Sequence, residues 1–193
     1  MKVELCRKTK ETYVKVGLDV YGTGKVNINT DVGYINHMLE LLGVWANFDL
    51  DLEAKGDIEV DVHHTLEDIG LTLGEAFSSS LKDKKGIARV GWAKVPMDEA
   101  LCEAVVDISG RPYLVYKNSE ILPPMIFGEE KDVWREFFKS FCFRAKINLH
   151  ILFHYGQNGH HLVESCFKAV GVALKNAITK ERDYLLSTKG VIE

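Results

Sequence analysis

Two short runs of side chains in this sequence could do chemistry together. His63-His64-x-x-Glu67 recurs as His160-His161-x-x-Glu164, and residue 160 lies 97 positions after residue 63 in a chain of 193. Imidazole and carboxylate are the nitrogen and oxygen donors that first-row divalent metals accept. On a helix, residues three and four apart share a face, so each glutamate lies on the side of its own histidines. Adjacent histidines diverge by about 100° around the axis, which suits two ions better than one. An offset of half the chain points to an internal duplication in which each half brings one ligand set.

Those side chains need helices to carry them, and the flanks have helical period. Leu66, Ile69, Leu73, Ala76 and Phe77 follow the first pair; Val163, Phe167, Val170, Leu174 and Ala177 follow the second. The same alignment sets Gly74 against Gly171 and Ala76 against Ala173, small residues that predict close helix packing. Helices are therefore expected over 62–81 and 158–178, with two more over 33–47 and 132–144. Alternating apolar residues predict strands over 12–20, 48–54, 101–108 and 147–153. Residues 25–30 read as the second arm of a hairpin around Gly22-Thr23-Gly24, and 112–116 as the partner of 101–108 around Ser109-Gly110. The order strand, strand, helix, strand, helix thus appears twice. Glu11 to Val20 parallels Glu99 to Ile108, with Asp19 opposite Asp107. The pattern is α+β, with half-repeats 1–90 and 91–193 inside one compact domain and a seam within 84–97. Each helix pair covers one face of its sheet, and back-to-back halves or neighbouring subunits are expected to cover the other face.

Bulk properties remove several classes. The chain is 46% hydrophobic and 27% charged, enough to bury a core. A net charge of −4 argues against nucleic acid as a partner. No apolar run reaches about 18 residues and no basic-then-apolar leader opens the chain, so neither a membrane span nor a signal peptide is expected and the location reads as cytoplasmic. Cys6, Cys102, Cys142 and Cys166 lack zinc spacing and read as buried thiols.

A set of ordered motifs then points to a family. They are Asn36-His37-Met38-Leu39, His63-His64-Thr65-Leu66-Glu67-Asp68, Met97-Asp98-Glu99-Ala100-Leu101, Ser109-Gly110-Arg111-Pro112-Tyr113, Glu136-Phe137-Phe138, Leu149-His150-Ile151, the second His-His-x-x-Glu run with Phe167-Lys168-Ala169, and Ser187-Thr188-Lys189-Gly190. Along nearly its whole length the chain resembles imidazoleglycerol-phosphate dehydratase, an enzyme of histidine biosynthesis. The resemblance implies two similar halves, each a four-stranded sheet backed by two helices. It implies a homo-oligomer of twenty-four subunits with two Mn²⁺ per active site, between subunits. The implied reaction converts imidazole glycerol phosphate to imidazole acetol phosphate with loss of water.

The resemblance also assigns roles. His37, His63, His64, His150, His160 and His161 fall in its motifs and, with Glu67 and Glu164, make eight ligands, four for each ion. An octahedral ion then keeps two positions for substrate. The spacing does not say which group binds which ion. His154 shares a strand face with His150 but belongs to no motif and reads as a non-ligand. The proton to be removed sits on a hydroxyl-bearing carbon with no carbonyl beside it, so the family binds the imidazole as imidazolate and lets its electron-rich ring expel the neighbouring hydroxyl. A carboxylate must move protons; Glu11 matches that position, with Asp98 and Glu99 as supporting groups. Substrate phosphate falls to Arg89, Arg111, Lys168, Ser187 and Lys189. Four positions depart from the family pattern: Asn36 stands for an aspartate, Val62 for an acid, Phe143 for a polar residue and Leu152 for an arginine. If the aspartate at 36 orients a histidine ligand, Asn36 would weaken metal binding. Two other classes stay open on these residues. A di-metal phosphoesterase would keep the ligands without needing Arg111 and the Ser187–Lys189 set, and a metal-storage shell would need no acid–base glutamate.

Overall fold

The computed structural model describes residues 2–192. Two four-stranded sheets enclose four helices. The first half runs β1 (Val3–Lys8), β2 (Thr12–Asp19), β3 (Val26–Asn29), α1 (Gly33–Ala46), β4 (Asp49–Gly56), α2 (His63–Ser80). The second runs β5 (Val90–Met97), β6 (Ala100–Asp107), β7 (Tyr113–Lys117), a small hairpin of β8 (Met125–Ile126) and β9 (Glu129–Glu130), then α3 (Asp132–Ala145), β10 (Asn148–Tyr155) and α4 (Gly159–Ile178). The sheets have matching strand orders, β1-β2-β4-β3 and β5-β6-β10-β7. Apart from the β8–β9 hairpin the halves repeat one plan, as the doubled motif predicts.

Two expected hairpins are absent. β3 pairs in parallel with β4, which separates it from β2, and β7 pairs in parallel with β10. Parallel neighbours require a crossover, and α1 and α3 provide it as strand–helix–strand units. The turn before β3 is instead tied to β4: Asp49 accepts from the backbone N–H of Thr23 at 2.7 Å and of Lys25 at 3.0 Å. The true hairpins join β1 to β2 and β5 to β6. Both first strands escape the periodicity reading, β1 because its exposed positions mix Cys6 with charges, β5 because it begins inside the expected seam.

The core lies between the sheets. β2 points Val14, Val16 and Leu18 inward, and β10 points Leu149, Ile151 and Phe153 inward. The helices pack across the halves, α2 on α3 and α1 on α4, so the halves meet through their helices and not through their outer sheet faces. The aligned glycines explain how. A Cβ at Gly74 would lie 2.4 Å from the Phe141 carbonyl oxygen, and one at Gly171 would lie 2.9 Å from the Leu42 carbonyl oxygen. Hence α1, although it belongs to the first half, lies along the helix that carries the second ligand set. Cys102, Cys142 and Cys166 are buried as expected, and burial pushes the Cys142 and Cys166 thiols up; Cys6, on the solvent side of edge strand β1, is exposed. Among the described residues no helix is long and apolar enough to cross a membrane.

Candidate active site

Both ligand runs open their helices. His63 and His160 stand in the first turns of α2 and α4, and each donates its backbone N–H to a side chain two residues back, Asp61 Oδ1 at 2.8 Å and Asn158 Oδ1 at 2.9 Å. These bonds satisfy donors that the helix itself leaves open. The next turn brings each glutamate onto the face of the first histidine of its pair.

At the α4 end three ligand atoms converge. His160 Nε2 lies 2.9 Å and His37 Nε2 3.4 Å from Glu164 Oε2, the latter reaching over from α1. The three donor atoms lie within 4.8 Å of one another. Glu164 is only 6% exposed and forms an ion pair with Lys168, four residues on. Burial works against its charged form, but hydrogen bonds from Lys168, His160 and His37 outweigh that and hold the carboxyl at about 2. Lys168 also sits 5.4 Å from the Trp45 ring of α1. On the outer side, Tyr34 stacks on Phe127 from the β8–β9 hairpin at 3.8 Å, and Phe127 meets the His160 ring at 5.0 Å. His161 points another way: Nδ1 is 2.7 Å from Glu99 Oε2, and Nε2 is 3.8 Å from Asp98 Oδ2.

The α2 end is looser. His63 Nε2 is 3.9 Å from Glu67 Oε2, beyond hydrogen-bond range, and both side chains are more than two-fifths exposed. His64 Nδ1 bonds Asp57 Oδ2 at 3.1 Å, while Glu11 Oε2 lies 3.8 Å from the same nitrogen. A hydrogen bond donated to Asp57 raises the His64 pKa above its ordinary value, and one donated to Glu99 does the same for His161. Asp57, which bonds His64, belongs to the candidate site and is missed by the sequence reading. It lies six residues before the first histidine, outside any helical face that spacing could detect.

Other expected residues do not converge within one chain. His150 is on β10 with its side chain on the outer face of the sheet, away from the helices. Its strand neighbours in register are Val105 and Val115. His154, on the same strand, bonds Glu103 at 2.7 Å, as suits a non-ligand. Arg89 grips Asp107 through Nε at 2.7 Å and Nη2 at 3.2 Å, and donates from Nη1 to the Leu186 carbonyl oxygen at 2.7 Å, which fastens the C-terminal tail. In that tail Ser187 Oγ donates to the Val191 carbonyl oxygen at 2.8 Å and accepts from the Lys189 backbone N–H at 3.2 Å. The Arg89 backbone N–H bonds the carbonyl of Ala177, nine residues past Lys168, or about 13 Å farther along α4. Arg111 follows β6 and contacts the Ser109 carbonyl oxygen at 3.4 Å.

The departures from the family pattern also have places. Asn36 does not touch a histidine: its Oδ1 accepts from the Thr30 backbone N–H at 2.8 Å and from Thr30 Oγ1 at 2.6 Å, tying the turn before α1 to the helix. In this chain residue 36 therefore braces the turn before α1. Val62 is buried in the core, while Phe143 is exposed.

Residues 30–174 match the family model described as imidazoleglycerol-phosphate dehydratase. The chain is 58% identical over 189 residues to the imidazoleglycerol-phosphate dehydratase of Maridesulfovibrio salexigens, covering 98% of this chain and 96% of that one. It is 59% identical over 187 residues to that of Oleidesulfovibrio alaskensis, covering 97% and 95%. Among solved structures, the enzyme from Staphylococcus aureus superposes with a TM-score of 0.84 at 36% identity, covering 94% of this chain and all of that one. The Pyrococcus furiosus structure, solved with the ligand (S)-C348, gives 0.83 at 36% identity, covering 97% and 99%.

Proposed function

The chain belongs to the imidazoleglycerol-phosphate dehydratase family of hydro-lyases, and from that premise we propose that it removes water from imidazole glycerol phosphate to give imidazole acetol phosphate, with two Mn²⁺ in each active site. The observation that carries the metal reading is the His37–His160–Glu164 cluster. Two imidazole nitrogens and one buried carboxylate, charged and aimed at one point, form a donor set that suits a divalent ion of this class. The ions would supply Lewis acidity and a template for the imidazole ring.

The chain's own residues do the rest. His37, His160 and Glu164 would hold one point, and on α2 His63 and Glu67 share a face while His64 turns to a different one. His161 presents Nε2 outward because Nδ1 is engaged by Glu99. Glu11 is exposed beside His64 and is free to take and return a proton. Arg89, Arg111, Lys168, Ser187 and Lys189 would take the phosphate; because Arg89 and Lys168 stand about 13 Å apart along α4, they would do so from different chains. His150 faces away from every other ligand of its own chain, so it would complete a neighbour's site. Val90, Trp92 and Tyr113 are exposed, and Val90 and Trp92 lie on the strand at the edge of that sheet. A second copy covering them would form shared sites, in keeping with a particle of twenty-four subunits in the cytoplasm.

The test is direct. Purified, manganese-loaded protein is incubated with imidazole glycerol phosphate. Formation of imidazole acetol phosphate, abolished by chelator, is the expected result. Release of inorganic phosphate would favour a phosphoesterase, and metal uptake without turnover would favour a storage shell.

A further inference from the structure

The two second histidines, His64 and His161, are held by different kinds of residue, and the difference bears on which glutamate can do chemistry. Asp19 pairs with Asp49 and Asp107 with Asn148, the opening residues of β4 and β10. Eight residues back from each aspartate stand Glu11 and Glu99, so the two glutamates occupy the same place in the repeated plan, at the mouth of the first hairpin of each half. Their partners differ. Glu99 bonds His161 Nδ1 at 2.7 Å and, through Oε1, accepts from the backbone N–H groups of Gln157 and Asn158 at 3.2 and 2.8 Å. Glu11 stops 3.8 Å short of His64 Nδ1, because Asp57 already occupies that nitrogen.

The connections into the ligand helices explain the division. The β4–α2 connection spans 57–62 and opens with Asp57. The β10–α4 connection spans only 156–158, Gly156-Gln157-Asn158, and carries no acid. Nor does Gly156 have room for a side chain: a Cβ there would lie 2.5 Å from Leu162 Cδ2 and 2.9 Å from Ala100 Cβ. The second half therefore has no counterpart of Asp57, and the hairpin glutamate takes its place.

We infer that Asp57 and Glu99 are the positioning residues of His64 and His161, and that Asp57 is what releases Glu11, the structural twin of Glu99, for proton transfer. A carboxylate that accepts from Nδ1–H fixes the tautomer with the Nε2 lone pair outward, where a metal can take it. Both Glu99 oxygens are already engaged, Oε2 by His161 and Oε1 by the Gln157 and Asn158 backbone N–H groups, which leaves Glu99 ill placed to carry a proton. The inference rests on the di-metal reading above but not on the identity of the substrate.

Matched substitutions at the twin positions test it. In Glu99→Gln the amide oxygen still accepts from Gln157 and Asn158, so the loop stays capped. The amide NH₂ then faces His161 Nδ1 and forces the imidazole proton onto Nε2. Mn²⁺ titration followed by electron paramagnetic resonance is expected to show one of the two ions bound about 10–100-fold more weakly, the loss typical of a missing outer partner. Asp57→Ala is expected to do the same for the other ion. Glu11→Gln should bind both ions within about twofold of the parent. Imidazole ¹⁵N shifts of metal-free protein at alkaline pH should move from the Nδ1–H to the Nε2–H pattern at His161 in Glu99→Gln alone, a change that a merely structural role would not produce. Parent-like binding of both ions by Glu99→Gln, or equal weakening by Glu11→Gln, overturns the inference. A parent that binds two ions yet turns over no imidazole glycerol phosphate would instead sink the proposed reaction and leave this assignment standing.

Discussion

The α2 and α4 ends carry the same five-residue motif, and the structure treats them differently. At α4, Glu164 is buried and gathers His160, His37 and Lys168 around one oxygen pair. At α2, Glu67 is largely exposed and 3.9 Å from its histidine. The cause lies in the neighbours. By the alignment of the Gly74 and Gly171 crossings, the position that His37 fills on α1 is Glu136 on α3. Glu136 is paired instead with Arg135 at 3.0 Å and Lys139 at 2.7 Å. The position of Lys168 on α4 is Leu71 on α2. One end therefore offers a cluster assembled within the chain, while the other offers donors that no other element of the described residues draws together. A duplicated motif fixes which atoms point outward; the opposing helix decides whether they form a site alone.

The sharpest way to break this contrast is to remove each glutamate in turn. Glu164→Ala deletes a proposed metal ligand and strips Lys168 of its buried partner. Losing one member of a buried pair costs about 3 kcal/mol or more, so metal-free protein should melt well below the parent, and metal should be lost from one site. Glu67→Ala removes an exposed carboxylate that has no hydrogen bond among the described residues, so metal-free stability should stay within about 0.5 kcal/mol while the ion it is proposed to hold is lost. Thermal melts with and without Mn²⁺ read both. Equal destabilisation would mean that the two ends are energetically alike.

Chelation sharpens it further. If the α2 donors are completed by a neighbouring chain, Mn²⁺ stabilises the assembly by RT ln(1+[L]/Kd), about 2.7 kcal/mol at a hundredfold excess over Kd. Light scattering of chelated protein is expected to show smaller particles, and to show them at higher residual Mn²⁺ in His64→Ala and His161→Ala. An unchanged particle mass after complete metal removal would leave assembly to apolar sheet faces alone.

How much of this the sequence carries depends on range. The helices and their ligand faces are legible because period 3.6 is local, and the duplication is legible because two copies sit half a chain apart. Sheet order is not. Nothing near residues 25–30 says that β4, arriving after a helix, will insert between β2 and β3. The α4 cluster is half legible: His160 and Glu164 follow from spacing, but His37 joins them only through the α1–α4 packing. Asp57 is illegible by the same logic, since it acts from a connection with no period.

The helix crossings carry a smaller effect. Gly74→Ala would drive a Cβ to 2.4 Å from the Phe141 carbonyl oxygen, against 2.9 Å from the Leu42 carbonyl oxygen for Gly171→Ala. Both overpack, at about 1–3 kcal/mol, with Gly74→Ala the costlier by chemical denaturation. The reverse order would place the tighter interface at α1–α4 and tie it to the preassembled cluster.

The smallest expected effect concerns Asn36, one residue before His37. Its Oδ1 takes two hydrogen bonds from Thr30, and its Nδ2 reaches the Thr30 carbonyl oxygen only at 3.4 Å. Asn36→Asp keeps the two strong bonds, now to a charged acceptor, and gives up the long one. A net intramolecular hydrogen bond contributes about 0.5–1.5 kcal/mol, and one to a charged group more. The loss and the gain therefore nearly cancel, and stability should shift by less than about 0.5 kcal/mol. Because residue 36 faces Thr30 and not a ligand, Mn²⁺ affinity should be unchanged, although this substitution restores the residue usual in the family. A tenfold tightening of Mn²⁺ binding in Asn36→Asp would show that residue 36 reaches the His37 imidazole after all. The α4 cluster would then depend on the turn before α1 as well as on the α1–α4 packing.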